Sequence, residues 1–222
     1  MLYIVATPIG NLKDITLRAL EVFKKVDYIL AEDTRNTARL LKHYDIKTAT
    51  LSFHQHSNDK KIDLVLRKLK NGKNLALVSD AGTPTIADPG GKLVAKVKKE
   101  APNIKIVPIP GASALLAGLS VSGFKADSFT FFGFPPKKRK RNKFFKMVAK
   151  SDKTSVLYES PHRIIKTLDD LNSFKEIRVK DICVFRELTK IYESSYCGTI
   201  REVLKSLKSD KIKGEFTIVI SG

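Results

Sequence analysis

The chain has 222 residues, 42% of them hydrophobic, and a formal net charge of +18. That length and apolar content mark an ordinary globular protein with a full buried core, in one large domain or two of modest size. No apolar stretch is long enough to span a bilayer, and Met1 leads straight into Leu2-Tyr3-Ile4-Val5 without a signal-peptide pattern, so a cytoplasmic protein is expected.

Residues 2–6 read as a first strand and Thr7-Pro8-Ile9-Gly10-Asn11 as a turn, after which residues 15–24 have helical spacing. Residues 28–31 read as a second strand ending in Glu32-Asp33-Thr34-Arg35, and a helix continues to His43. A third strand is expected over 48–52, and residues 59–70 form an amphipathic helix with Ile62, Val65, Leu66 and Leu69 on one face. The apolar run Leu75-Ala76-Leu77-Val78, bounded by turn residues, predicts a buried strand. The long turn Ser79 to Gly90 follows, then a helix over 92–100, a fifth strand over 104–107, a turn through Pro110 to Ala114, and a small-residue helix over 112–120. Repeated alternation of strand and helix argues an α/β domain with a mostly parallel sheet covered by helices on both faces.

That alternation breaks near Val121 to Asp127, which places a domain boundary between an α/β domain over 1–122 and an α+β domain with a mixed sheet over 123–222. Strands are expected in the second domain at 129–132, 155–158, 182–186, 191–197 and 216–220, with helices at 141–150, 161–171 and 200–207. Cys183 and Cys197 lie outside any CxxC pattern and have no histidine at ligand spacing, so they read as reduced structural thiols, with no zinc site.

The basic excess points to a polyanionic partner, RNA or DNA, with lysines spread over solvated surfaces as the bland alternative. Lys137-Lys138-Arg139-Lys140-Arg141-Asn142-Lys143, followed by Phe144-Phe145, is the densest run, and cations beside aromatics suit contacts to RNA phosphates and bases. A nuclear-localisation signal has the same composition. Neither a G-x-G-x-x-G nor a P-loop signature occurs, which disfavours a dinucleotide dehydrogenase or a P-loop NTPase. Instead the turns at Thr7 to Asn11, Asp80 to Pro84 and Pro110 to Ala114 share Pro, Gly and small polar residues, a composition able to build a pocket from backbone groups at one sheet edge. An ordinary connecting loop with a capping Asp looks similar. In Glu159-Ser160-Pro161-His162-Arg163, His162 reads as a surface histidine in preference to a general base. The charges of Arg186-Glu187-Leu188-Thr189-Lys190 suit either a site or a water-facing strand. His54 and His56 lie two apart without a third ligand, so they read as solvated loop residues.

The blocks Ala6-Thr7-Pro8-Ile9-Gly10-Asn11-Leu12, Ala31-Glu32-Asp33-Thr34-Arg35, Ser79 to Gly90 and Pro110 to Ala114 continue, in order, through Phe132-Gly133-Phe134, Tyr158 to Arg163, Arg186 to Lys190 and Lys213-Gly214-Glu215-Phe216. Together they resemble the bacterial small-subunit ribosomal RNA methyltransferase I family, a branch of the tetrapyrrole methylases. The resemblance covers nearly the whole chain. It implies S-adenosyl-L-methionine as methyl donor and the 2'-hydroxyl of a cytidine in the decoding region of 16S rRNA as acceptor, in free rRNA or the small ribosomal subunit. It further implies a two-domain α/β fold with the donor in the interdomain cleft, and a homodimer. Carried onto this sequence, the donor contacts implied are Pro8, Gly10, Asp80, Gly82, Pro84, Ala112, Ser113 and Glu215. The sequence departs from the family pattern at Gly91 and at Ser194-Ser195, outside these blocks.

Methyl transfer from a sulfonium is an in-line displacement, for which positioning matters most and a base or a cation at the nucleophilic oxygen helps. Glu187 and Lys190, with Glu159 and Arg163, are the expected catalytic groups, and Lys137, Lys138, Arg139, Lys140, Arg141 and Lys143 the expected RNA anchors. Two rivals stand beside this reading: a methylase of a tetrapyrrole or other small molecule, and a non-catalytic RNA-binding assembly protein.

Overall fold

The computed structural model describes residues 1–54 and 59–222, so His56 lies outside the described residues. The chain divides into two compact units, Met1–Ser113 and Ala114–Gly222.

In the first unit, strands β1 (Leu2–Val5), β2 (Tyr28–Ala31), β3 (Thr50–Ser52), β4 (Leu75–Val78) and β5 (Ile106–Ile109) form one sheet in the order β3-β2-β4-β1-β5. Every pairing in it is parallel. The unbroken apolar run of β4 is buried at all of its positions, as a central parallel strand covered on both faces must be. Helices α1 (Leu17–Lys25) and α2 (Thr34–His43) bury Ala19, Val22, Phe23, Leu40 and Leu41 against Val5, Ile29, Ala31 and Val78 on one face. Helices α3 (Asp59–Lys70) and α4 (Gly91–Glu100) bury Val65, Leu66, Leu93 and Val97 against Leu2, Leu30, Leu75 and Leu77 on the other. The first helices begin at side-chain caps: the Thr16 hydroxyl accepts from the Ala19 N–H, and the Asp33 carboxylate accepts from the Arg35 N–H. From β1 the chain winds outward to β3, then returns over the opposite face to β4 and β5. Neighbours β1 and β4 therefore send their following connections in opposite directions, which makes their carboxyl ends the switch point of the sheet. The fifth strand lies two residues later than expected and contains Pro108. An edge strand tolerates proline because one side of its backbone has no ladder partner to lose.

The second unit holds β6 (Phe129–Gly133), β7 (Thr154–Glu159), β8 (Asp181–Arg186), β9 (Ser194–Thr199) and β10 (Phe216–Ile220) in the order β6-β7-β10-β8-β9. It is mixed, as expected: β6 and β7 run parallel and the other pairs antiparallel. Helices α6 (Arg141–Ala149), α7 (Ile164–Asn172), α8 (Lys175–Arg178) and α9 (Ile200–Lys208) cover one face through a core that includes Phe145, Leu168, Ile177 and Leu204. The other face receives α5 (Ala114–Ser120), whose Leu115 and Leu119 pack with Val156, Phe185 and Val219. A Cβ on Gly118 would lie 2.9 Å from Thr217 Cγ2, so only glycine lets this helix press so closely on the strands. This packing moves the division of the chain to Ser113/Ala114, ahead of the 122/123 boundary expected from the break in alternation.

The two cysteines depart from the expected reduced thiols: Cys183 and Cys197 are joined by a disulfide. They sit directly opposite one another in the β8–β9 register, with Cα atoms 4.2 Å apart. Among the described residues no helix is long and apolar enough to cross a membrane, and no cluster of three metal-ligating side chains occurs.

Candidate active site

The three turns singled out from their composition meet at the carboxyl edge of the first sheet. Thr7 and Gly82 form an isolated antiparallel bridge, with N–H to O distances of 2.9 and 3.0 Å. The Thr7 hydroxyl donates to the Ser79 carbonyl at 3.2 Å, and the Thr83 hydroxyl donates to the Ala112 carbonyl at 3.2 Å. Side chains and backbone thus tie the turns after β1, β4 and β5 into one wall. Gly82 is buried with φ +78, and a Cβ there would stand 3.5 Å from Ile9 Cγ2 and 3.8 Å from the Ala112 oxygen. The glycine leaves backbone bare where these turns converge. Pro84 is buried, Pro8, Ala112 and Ser113 are half-buried, and Gly10 and Asp80 are exposed. Thr85 and Ala87 hold left-handed backbones at φ 74 and 60, a conformation that disfavours a β-branched residue above all. Such strain, about 1–3 kcal/mol per residue, collects where ligands are bound.

The neighbouring strand end adds charge to the same rim. The Asp33 N–H donates to Asp80 Oδ1 at 3.0 Å, which holds the Asp80 carboxylate in place beside β2. Asp33 itself is paired with Arg35 and lowered to about 2, through the guanidinium hydrogen bond first. Glu32 moves the other way. Burial first, then the Asp80 carboxylate, raise its carboxyl above the ordinary range, with the Asp80 backbone and His54 opposing. Sequence reasoning placed Glu32 in a motif but gave it no role; its partial burial beside a second acid is the signal that the chain order concealed. An open pocket of about 230 Å³ lies at this edge too, lined in part by Phe53, His54, Asp88 and Lys92.

In the second unit, Glu187, Lys190 and Glu215 form a single cluster. Lys190 Nζ donates to Glu187 Oε1 at 2.8 Å and to Glu215 Oε2 at 2.9 Å, and the Glu215 N–H donates to Glu187 Oε1 at 2.8 Å. Burial pushes the Glu187 carboxyl up, but the Lys190 and Glu215 hydrogen bonds outweigh it and hold the group below its usual range. Burial likewise works against the Lys190 ammonium, and its two carboxylate partners more than restore it. The two carboxylates thus favour the charged form of the Lys190 ammonium. Glu187 and Thr189 are left-handed at φ 53 and 68, and the close approach of Gly214 leaves no room for a Cβ against the Glu187 carboxylate.

Glu159 and Arg163, expected to act together with that pair, belong to a separate chain of polar contacts. Glu159 is wholly buried in side chain; its Oε1 takes the Ser160 N–H at 2.8 Å and Arg163 Nη2 at 2.7 Å, and its Oε2 takes the Thr167 hydroxyl at 2.6 Å. Thr167 in turn accepts from Arg141 Nη2 at 2.8 Å, and Arg141 Nε reaches Asp170 at 2.7 Å. Arg141 thus leaves the expected set of RNA anchors: it is buried, and its guanidinium is spent on α7 and on the Pro136 carbonyl. Lys137, Lys138, Arg139, Lys140 and Lys143 are exposed, and so is His162.

A doubly wound sheet with a glycine-bared wall at its switch point defines a class of α/β proteins that bind small ligands there. The profile of the tetrapyrrole (corrin/porphyrin) methylases matches residues 1–204. The chain is 46% identical over 223 residues to a ribosomal RNA small subunit methyltransferase I of Synechocystis sp., covering all of this chain and 79% of that protein. The Thermotoga maritima protein of the same name is 43% identical, with 100% of this chain and 98% of the relative covered. This chain belongs to the tetrapyrrole methylase family, in its ribosomal RNA small-subunit methyltransferase I branch. Among solved structures, a cobalt precorrin-4 methyltransferase superposes with a TM-score of 0.73 at 17% identity, over 99% of this chain and 94% of that one. A uroporphyrin-III C-methyltransferase of Thermus thermophilus complexed with S-adenosyl homocysteine gives 0.67 at 16% identity, over 99% and 96%. These likenesses carry the fold.

Proposed function

We propose that this chain transfers a methyl group from S-adenosylmethionine to the 2'-hydroxyl of a cytidine in the decoding region of 16S rRNA. The observation that carries the reading is the bridge between Thr7 and Gly82, which joins two of the proposed donor-binding turns in a protein of this family. The residues fit such a donor. A nucleoside offers ribose hydroxyls and an amino-acid moiety offers an ammonium and a carboxylate. The exposed Asp80 carboxylate suits the first two, and the bare backbone around Gly82, Ala112 and Ser113 suits close approach of a flat or extended group. When bound, the donor supplies an electrophilic methyl on a sulfonium.

The chain's own residues then position and polarise. Pro8, Gly10, Gly82 and Pro84 hold the wall of the donor site, and Asp80 orients the donor through its polar groups. An ammonium has three donors. Lys190 spends two on Glu187 and Glu215, and the third offers a hydrogen bond to the ribose oxygen as that oxygen takes the methyl from sulfur, the hydroxyl proton passing to solvent water. Glu187 is a positioning residue that aims this ammonium. Lys137, Lys138, Arg139, Lys140 and Lys143 anchor RNA phosphates.

The decisive experiment supplies labelled S-adenosylmethionine with small subunits that lack the modification, followed by nuclease digestion and mass spectrometry. Label on the 2'-oxygen of a cytidine is the expected result. Donor binding without transfer to rRNA, or transfer to a porphyrinogen instead, would overturn the assignment.

A further inference from the structure

The loop with the densest charge also presents an aromatic ring to solvent. Along the β6–β7 ladder Phe131 pairs with Val156 and Gly133 with Leu157, so two residues of β6 fill the space of one. Gly133 completes this bulge with φ +68, and a bulge turns the residues after it away from their former line. Phe134 emerges there 52% exposed. Phe145, which follows the basic run in sequence, is instead 1% exposed in the core, and Phe144 packs edge-on against Phe132.

The Phe134 ring is braced from behind. It leans on Tyr158 at 5.5 Å between centroids, and Tyr158 stands edge-on to Phe131 at 4.9 Å while its hydroxyl accepts from the Leu115 N–H at 2.9 Å. The chain beyond it is pinned as well. Arg163 Nη1 donates to the Pro135 carbonyl at 2.8 Å and Arg141 Nη1 to the Pro136 carbonyl at 3.0 Å. Lys137, Lys138, Arg139 and Lys140 follow at once, all exposed. A rigid open ring beside a run of cations is the combination that binds an unpaired nucleotide: the ring stacks on the base and the cations take the flanking phosphates.

We propose that Phe134 is a stacking platform for one unpaired base of the RNA substrate, with the phosphates on either side held by Lys137, Lys138, Arg139 and Lys140. The proposal rests on the reading of RNA as substrate. It adds a requirement for single-stranded character at the contacted nucleotide, because a base inside a duplex has no free face to offer.

The test uses the full chain and two probes, an unstructured RNA of about ten nucleotides and a duplex of the same composition. Phe134→Ala weakens single-strand binding about 5- to 100-fold, leaves the duplex nearly unchanged and keeps the salt slope. The chain has no tryptophan, so Phe134→Trp creates a sole tryptophan, excited at the red edge of the band where the six tyrosines do not absorb, whose fluorescence is quenched by the single strand and not by the duplex, with affinity retained. Neutralising Lys137, Lys138, Arg139 and Lys140 together weakens both probes and flattens the salt dependence. Equal loss on both probes in Phe134→Ala, no loss, or an unquenched Phe134→Trp would overturn the platform while leaving RNA as substrate intact. Undiminished RNA binding after neutralisation of the four cations would instead count against RNA anchoring by this loop as a whole.

Discussion

Thr7 and Gly82 exchange reciprocal backbone hydrogen bonds of 2.9 and 3.0 Å across the ends of neighbouring strands. Neither residue lies in a strand, yet the pair behaves as one rung of a ladder that couples the loops after β1 and β4. A donor site built on this edge inherits its shape from those bonds, and disturbing them should affect binding before it affects folding.

Gly82→Ala tests that order. Its left-handed φ of +78 costs an alanine about 1–2 kcal/mol, and the new methyl group meets Ile9 and the Ala112 oxygen only at ordinary contact distance. The variant should fold with a modest loss in urea denaturation and bind S-adenosylhomocysteine at least tenfold more weakly by calorimetry. Wild-type affinity in a folded variant would remove Gly82 from the donor site.

Glu159 separates strut from catalyst. Removing a buried carboxylate that faces two guanidinium-linked partners leaves uncompensated charge, at a cost of about 3–5 kcal/mol for Glu159→Ala. Glu159→Gln keeps an acceptor for Thr167 and should lose less. Both variants, once folded, should retain turnover with saturating donor and RNA. A stable Glu159→Gln variant with abolished turnover would return this residue to the catalytic group.

Gly214→Ala probes the second cluster from its backbone side. A Cβ at this position would fall 2.3 Å from the Glu187 carboxylate, and the flexible end of Glu187 must swing aside. Lys190 would then lose the partner that aims it, and kcat should fall tenfold or more with donor affinity unchanged. Unaltered kcat would show that the aim of Lys190 is immaterial.

Glu32 gives a prediction for pH. Its carboxyl is raised in the folded chain, by burial first and then by Asp80, so between the unfolded and folded values the native state holds more protons. Stability from this group is present at low pH and declines as pH rises through that interval. Glu32→Gln should remove this decline and stabilise the protein at neutral pH. Urea midpoints measured from acid to neutral pH check it; an unchanged profile would contradict the assigned burial.

Much of this architecture is legible in the sequence, and what was not has physical reasons. The run Leu75 to Val78 reads as a buried strand because nothing polar interrupts it. The turns at Thr7, Gly82 and Ala112 announce themselves by composition, and the bonds of Thr7 and Thr83 bear out their convergence. Helix α7 starts at Ile164, not at Pro161, since Ser160 to Arg163 closes a turn first: the Ser160 carbonyl takes the N–H of both Arg163 and Ile164. Single-turn α8 is too short to leave a periodic trace. Opposition of Cys183 and Cys197 depends on strand register, and burial of Arg141 depends on which helix lies above it. Local pattern carries neither.

The two proline carbonyls at the root of the basic loop are clamped by arginines that stand outside the run of four exposed cations. Shape and charge are thereby assigned to different residues. Substitutions at Lys137, Lys138 and Arg139 can retune salt sensitivity or grip while the scaffold stays as it is, whereas the left-handed backbone of Lys140, at φ 64, restricts what can replace it.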